Sequence, residues 1–285
     1  MIEHTFLILG ANGQLGKQFK KELAARGEHV IAPEEKDCDI TNSDTLARFV
    51  EKVSPTVIIN CAAYNAVDLA EQQAEIANLI NSRAVQNIAT LCKRHSIFFI
   101  HYSTDYVFDG RKGAPYTEHD APNPLNVYGK SKLAGEEAVQ KYGGGFLLFR
   151  TSWVFGDGTQ NFIHKFLQWA QKSRVVKLSS DEVSVPTSSA DLVSLTIASL
   201  EKGLKGLYHL TSSDYASRYE WGRYVVKALS LNNLVVPVPM SNFPSPVQRP
   251  PFTAMSNDQL QQRLGVPIRD WRNAVDRFFA EYPPL

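Results

Sequence analysis

The chain has 285 residues, 44% hydrophobic and 21% charged, with 30 basic against 29 acidic side chains. That length gives room for about two domains of ~100–200 residues, and a net charge of +1 gives no broad field for nucleic acid or an anionic membrane. No apolar run approaches the ~20 residues of a membrane span, and "MIEHTFLILGANG" does not read as a signal peptide, because an acid comes early and glycines interrupt a short apolar run.

In chain order, "TFLIL" reads as a buried strand. "GANGQLG" follows, with glycines at 10, 13 and 16, and then an amphipathic helix carrying Phe19, Leu23 and Ala24 on one face. Gly27 is a natural stop for that helix. "EHVIAP" is a second strand, and "SDTLARFVEKVSP" is a helix with Ser43 as candidate N-cap. "TVIINCAAY", "IFFIHYSTD" and "GFLLFRTSWVF" are further strands. The long helix "AEIANLINSRAVQNIATLCKRHS" and the helix "SKLAGEEAVQKYG" lie between them. Continuously apolar strands alternating with helices predict a parallel sheet covered on both faces. The fold class is therefore α/β: a Rossmann-type doubly wound parallel sheet with a smaller C-terminal α/β substrate lobe. The dinucleotide-binding domain is placed at residues 1–155. The substrate-binding lobe is placed at 156–285, with some of its segments free to return to the main sheet. Cys38, Cys61 and Cys92 contain no C-x-x-C pair, which suits small, buried, reduced residues in a cytoplasmic protein.

A glycine loop between a strand and a helix at the chain start is the context of a dinucleotide site. Gly10 permits the turn, Gly13 lets backbone N–H groups approach a pyrophosphate, and Gly16 allows close helix–sheet packing. After the second strand, Glu34 or Glu35 suits a ribose 2′-hydroxyl, whereas Lys36 suits a 2′-phosphate; a solvated charge run fits those residues equally well.

Tyr128 and Lys132 stand four residues apart and share a helix face. A phenol is a poor base at neutral pH, and a nearby ammonium lowers its pKa. At a nicotinamide site Tyr128 would give a proton to a ketone oxygen, Lys132 would hold the cofactor ribose and tune Tyr128, and Thr104 would fix the carbonyl. Alone, Tyr-x-x-x-Lys is equally a surface helix pair; the glycine loop upstream favours the catalytic reading.

With these residues in place the chain resembles the extended short-chain dehydrogenase/reductases, and more narrowly the dTDP-4-dehydrorhamnose reductase family. "GANGQLG", "CDIT", "NCAAYNAVDLAE", "HYSTDYVFDG", "NVYGKSKLAGE", "RTSWVF" and "VPTSSADL" carry the resemblance. It implies reduction of the C4 ketone of dTDP-4-dehydro-L-rhamnose, a nucleotide sugar, by NADPH, with NADH also accepted, and it is compatible with a homodimer. It places Gly10, Asn12, Gly13, Gln14, Leu15 and Gly16 against the cofactor, Asp39 and Ile40 near the adenine, and Ala62, Ala63 and Tyr64 along the cofactor channel. Ser103 also meets the cofactor. Thr104, Tyr128 and Lys132 are the catalytic set. Val67, Asp105, Tyr106 and Trp153 face the substrate, with Asp181 contributing from the second lobe.

The chain departs from the family pattern at Asn65 and Leu69, where Thr and Lys are usual. Glu182 and Ser184 in "SSDEVSVPT" depart from Asp-Gln-x-Gly-x-Pro-Thr. Some relatives bind Mg²⁺ through acids beside the glycine loop. Here Gln14 and Leu15 stand there, and the seven histidines show no ligand spacing, so no metal is expected. A dehydratase would carry Asp-Glu after Thr104, where this chain has Asp105 and Tyr106. An epimerase-reductase would need an added pair such as Cys61 and His101. A reductase of another 4-keto-6-deoxy sugar nucleotide, and a non-catalytic regulatory subunit like the partner of methionine adenosyltransferase, remain as alternatives.

Overall fold

Apolar runs in the first half of the chain become parallel strands because helices cover both of their faces. The computed structural model describes residues 4–283; the first three residues of the amino-terminal segment and the last two of the expected second lobe lie outside the described residues. In order come β1 (Thr5–Leu9), α1 (Gln14–Ala25), β2 (His29–Ile31), α2 (Ser43–Val53), β3 (Val57–Asn60), α3 (Val67–Ala70), α4 (Ala74–Asn78), α5 (Ala84–Arg94), β4 (Phe98–Thr104), α6 (Val127–Tyr142) and β5 (Phe146–Thr151). The second half holds β6 (Val154–Phe155), α7 (Phe162–Lys172), β7 (Val175–Ser179), β8 (Val183–Ser184), β9 (Thr187–Ser188), α8 (Ser189–Glu201), β10 (Gly206–His209), β11 (Ala216–Ser217), α9 (Arg218–Ala228), β12 (Leu234–Val238), α10 (Asp258–Leu264) and α11 (Trp271–Glu281).

The main sheet runs β10-β5-β4-β3-β1-β2, with every neighbouring pair parallel. Successive residues of a strand face opposite sides. Phe6 and Ile8 therefore join the core shared with α1 and α8, while Leu7 and Leu9 join the core shared with α2 and α5. The chain leaves β1 towards β2 on one side, and β3 and β4 lie on the other. That reversal opens a crevice at the carboxyl ends of β1 and β3, the place where ligands of such sheets bind. A third core, rich in aromatics, joins α7, β7, α9, β12 and α11 around Phe166, Trp221 and Trp271.

Three local features differ from the sequence reading. The cap of α2 is Asn42, whose side chain accepts from Asp44 N and Thr45 N; Ser43 is the first helical residue, because the amide one position earlier already meets both free N–H groups. The long helix over 74–94 is interrupted by a π-helical turn, Leu79–Arg83. That turn presents the buried Asn81 inward, where it accepts from Tyr64 N at 2.8 Å and donates to Ser131 Oγ at 3.0 Å. The strand expected through residue 155 breaks at Trp153, which has φ +41°, and β6 continues by pairing with β9.

Beneath the crevice, Arg150 of β5 and Glu136 of α6 form a buried pair, with Nε–Oε1 at 2.9 Å and Nη2–Oε2 at 2.6 Å. Their side chains are 3% and 0% exposed. Breaking a buried pair leaves one charge uncompensated, which typically costs ~3–5 kcal/mol. Glu136→Gln keeps the shape and removes the charge, so it should lower the urea-unfolding free energy by about 3 kcal/mol. A loss under about 0.5 kcal/mol, the scale of an ordinary surface change, would show that the pair does not brace the sheet.

Candidate active site

The glycine loop is shaped by backbone contact. Gly10 has φ +74°, and a Cβ there would lie 2.5 Å from Ala62 N. A Cβ on Gly16 would lie 2.4 Å from Gly10 O. Both positions therefore exclude side chains on the protein's own account. Gly13 differs: its Cβ would meet only Gly10 O, at 3.4 Å, and the space beyond is the cleft. Gly13 is also the N-cap of α1, where no side chain caps the helix, so the free N–H groups of its first turn and the helix dipole face that cleft.

One continuous cleft runs from this loop across the strand ends. Of the residues expected at a cofactor, Gly10, Asn12, Gly13, Gln14, Leu15, Asp39, Ile40, Ala62, Ala63 and Ser103 line it. Gly16 acts from behind, through packing. Tyr64 points elsewhere: its N–H is bound by Asn81 and its phenol reaches Gln73 at 2.8 Å. Asp39 accepts from Thr41 N and Oγ1 at 2.8 and 2.7 Å, which fixes the turn. Gln14 accepts from Asn161 Nδ2 at 3.1 Å and ties the loop to α7.

Thr104 ends β4, and the first two turns of α6 carry Tyr128 and Lys132, so strand and helix bring all three to one wall of the cleft. Asn126 caps α6 by accepting from Gly129 N at 2.8 Å. Lys132 is 3% exposed and donates to Tyr102 O at 2.6 Å. Burial pulls its ammonium down to about 8, with Glu136 one turn on opposing the shift. Tyr128 donates to Asn65 Oδ1 at 3.4 Å and packs edge-on to Tyr106. Burial pushes its phenol well up, and the neighbouring Thr104 hydroxyl only partly opposes the rise. Desolvation is thus the largest influence on the phenol here, and the lysine's bond goes to the strand carbonyl.

Asp105 is 2% exposed. Oδ1 accepts from Thr104 Oγ1 at 3.1 Å, and Oδ2 accepts from Ser184 and Thr253 at 2.7 and 2.5 Å. Asp105 nevertheless lines the cleft together with Val67, Tyr106 and Trp153. Asp181 does not: its carboxylate accepts from Met240 N at 2.6 Å, and its neighbour Glu182 lines a second, adjoining cleft. Trp153 belongs to a cation–aromatic cluster: Arg218 lies 3.5 Å from its ring centroid and 5.8 Å from that of Trp221, and Trp221 is stacked on Trp153 at 5.7 Å. Glu182 lies 3.4 Å from Arg218. Arg249 donates to the Tyr106 phenol at 3.0 Å and pairs with Asp68. That second cleft opens here between α7, β7 and α9, lined by Phe162, Lys165, Trp169 and Lys177 beside these residues.

Arg218, Glu182 and Asn65 were not singled out for these contacts from sequence. The Ser217/Glu220 capping box is a signal that locates the start of α9 and hence Arg218, but no local pattern gives its stacking partner. Cys61 also lines the cleft, but burial pushes its thiol well up. His101 is buried against Asn60 and held well below its usual range by desolvation. Neither is poised as an acid/base group at neutral pH. Among the described residues, no three His, Cys, Asp or Glu side chains group as a metal set, and no helix is long and apolar enough to cross a membrane.

A parallel doubly wound sheet with a glycine loop, and a Tyr–Lys helix pair beside a strand-end Thr, define the class of extended short-chain dehydrogenase/reductases. Residues 4–283 match the family described as RmlD substrate binding domain. A dTDP-4-dehydrorhamnose reductase of Burkholderia thailandensis is 38% identical over 94% of this chain and 96% of its own. A dTDP-4-keto-6-deoxy-D-glucose reductase of Streptomyces niveus is 33% identical, covering 96% of each. A crystal structure of dTDP-4-dehydrorhamnose reductase from Bacillus anthracis in complex with NADP superposes with a TM-score of 0.95 at 30% identity, covering 98% of this chain and 100% of the other. The chain belongs to the dTDP-4-dehydrorhamnose reductase family.

The buried ammonium also fixes a stability signature. Below pH 8 Lys132 is charged in both the folded and the unfolded chain, so the full desolvation cost is present. Between its folded value of about 8 and the ordinary 10.5 only the unfolded chain keeps the proton, and the cost is relieved as pH rises. The shift corresponds to about 3 kcal/mol. Lys132→Met should therefore be the more stable protein at pH 7 by up to about 3 kcal/mol, with the gap closing towards pH 10.5. Urea unfolding of the two proteins across pH measures it; a gap independent of pH would show that the lysine is not desolvated.

Proposed function

We propose that the chain reduces the C4 ketone of dTDP-4-dehydro-L-rhamnose to dTDP-L-rhamnose with NADPH. The convergence of Thr104, Tyr128 and Lys132 on the wall of the glycine-loop cleft carries this reading. Family membership and the relatives' named activities support it. The open approach at Gly13, with uncapped N–H groups beside it, fits a pyrophosphate. Gly10, Asn12, Gly13, Gln14 and Leu15 hold that end of the cofactor, Asp39 and Ile40 its adenine, and Ala62, Ala63 and Ser103 the remainder. When bound, the cofactor supplies a hydride to the ketone carbon.

Tyr128 donates the proton. A buried phenol whose pKa is raised keeps its proton at neutral pH, and an alkoxide is far more basic than a phenolate, so proton transfer to the developing oxyanion is downhill. Lys132 lies one turn away, presents its charge to the ribose and stabilises the phenolate left behind. Thr104 steadies the same oxygen. Trp153, Arg218 and the lysines of the adjoining cleft suit a nucleoside diphosphate, with an aromatic face for the base and cations for the phosphates.

Two measurements test the reading. Tyr128→Phe removes the donor and keeps the ring, so kcat should fall by about 10²–10⁴-fold while NADPH affinity, followed by fluorescence titration, is unchanged. Near-wild-type turnover would reject Tyr128 as the acid, and cofactor binding with no turnover of any 4-keto sugar by the wild type would support a regulatory protein instead. For the cofactor, Glu35 lies at the cleft rim while Lys36 pairs with Glu34 at 2.8 Å. An acid lining the cleft and a lysine already paired disfavour a strict preference for the 2′-phosphate. The kcat/KM values for NADPH and NADH should lie within about tenfold, since one screened charge is worth only ~1 kcal/mol. A preference a hundred times larger would point to a phosphate-binding group elsewhere in the cleft.

A further inference from the structure

Three hydroxyls converge on the carboxylate of Asp105, and they come from distant segments. Thr104 precedes it on β4. Ser184 is on β8, and Thr253 belongs to the segment that leads to α10. All four side chains are buried, with Ser184 0% and Thr253 2% exposed. The backbone builds the arrangement: Val183 N donates to Pro251 O at 2.8 Å, and Thr253 N donates to Val183 O at 2.9 Å. Ser184 and Thr253 are thereby set side by side over Oδ2. Ser184 also stands where the resembled pattern has glycine, so this hydroxyl is a property of this chain rather than of that motif.

A threonine hydroxyl has one proton and two lone pairs. The Thr104 oxygen accepts from Tyr106 N at 3.2 Å and spends its proton on Asp105 Oδ1. To steady the oxygen that Tyr128 protonates, Thr104 must turn that proton away from the carboxylate. Were Thr104 the sole donor to a buried anion, the turn would strand the charge and be strongly opposed. Two further hydroxyls on Oδ2 keep the carboxylate satisfied while it happens.

We propose that Ser184 and Thr253 are positioning residues which, by satisfying the Asp105 carboxylate, hold the Thr104 side chain in place and leave its proton free to turn towards the substrate oxygen. The Asp105 carboxylate then keeps two protein donors on Oδ2 whichever way the Thr104 proton turns. This role rests on the ketone-reduction reading above.

The test is a double-mutant cycle on the full chain. Ser184→Ala and Thr253→Val remove the two hydroxyls with little change of volume, and Thr253→Ser restores one of them. The double variant should lose about tenfold or more in kcat, the scale of a hydrogen bond to a charged group, with the KM for the sugar nucleotide and the NADPH dissociation constant within about twofold. Thr253→Ser should keep most of the wild-type kcat. In a Thr104→Val background the same double change should have no further effect on kcat, because its route is gone. An unchanged kcat in the double variant, or an undiminished loss in the Thr104→Val background, overturns the positioning role. If the double variant does not bind NADPH and so has not folded, Ser184→Ala alone carries the same comparison. A wild type inactive on every 4-keto sugar nucleotide overturns the ketone-reduction reading, and this role with it; an active wild type indifferent to the double change overturns this role alone.

Discussion

The Lys132 ammonium is buried at the carboxyl end of a parallel sheet, and much of the molecule around it is arranged to tolerate that charge. Its nearest acceptor is the carbonyl of Tyr102, on the strand that leads into Thr104. The carboxylate of Glu136, one turn along the same helix, favours the charged form of Lys132. Glu136 is in turn held by Arg150 on the next strand, and the guanidinium of Arg150 lies 5.1 Å from the centroid of Phe108. Phe108 stacks on Tyr116 at 4.1 Å. The long proline-containing segment between Thr104 and Tyr128 therefore closes the charged layer from one side. Its N–H at Tyr116 reaches Ala254 O, which brings in the carboxyl-terminal third of the chain. A single desolvated cation thus links strand, helix and loop, and buried charges persist only when such partners are in place.

The two halves of the chain share this construction. Strand β10, from beyond residue 200, pairs in parallel with β5 and extends the main sheet. Gln14 is held by Asn161, Asp105 by Ser184 and Thr253, and Tyr106 by Arg249. Trp153 stands where the chain turns from the sheet into the second half. Its positive φ places a bulky residue in a region that favours glycine, a conformation that surrounding contacts must hold. Stacking on Trp221 and beneath Arg218 supplies such contacts. Strain of this kind is common at ligand-binding positions, and this residue lies on both clefts.

The strands, the glycine loop and the Tyr128–Lys132 helix were legible in the sequence because each rests on a local rule: an apolar run, a glycine spacing, a four-residue helical repeat. What was not legible depends on contacts between residues far apart in the chain. The π-helical turn at 79–83 has no periodic signature, and its purpose appears only when Asn81 is seen between Tyr64 and Ser131. Asp181 and Glu182 are adjacent, so one residue of register decides which lines the adjoining cleft; the acid chosen from the resemblance caps Met240 N instead. The balance of effects on the Tyr128 phenol is hidden from sequence for a related reason. Sequence spacing shows that a lysine is near, but not how little solvent reaches the phenol, and burial is the largest effect.

The central claim is that this cleft delivers hydride to a sugar ketone while Tyr128 protonates the oxygen. Its most direct test is reduction of dTDP-4-dehydro-L-rhamnose by the wild type with NADPH carrying deuterium at both C4 positions of the nicotinamide, followed by proton NMR of the isolated nucleotide sugar. The account predicts dTDP-L-rhamnose with deuterium at sugar C4 and at no other ring carbon. Unlabelled product, or deuterium elsewhere on the ring, would contradict it.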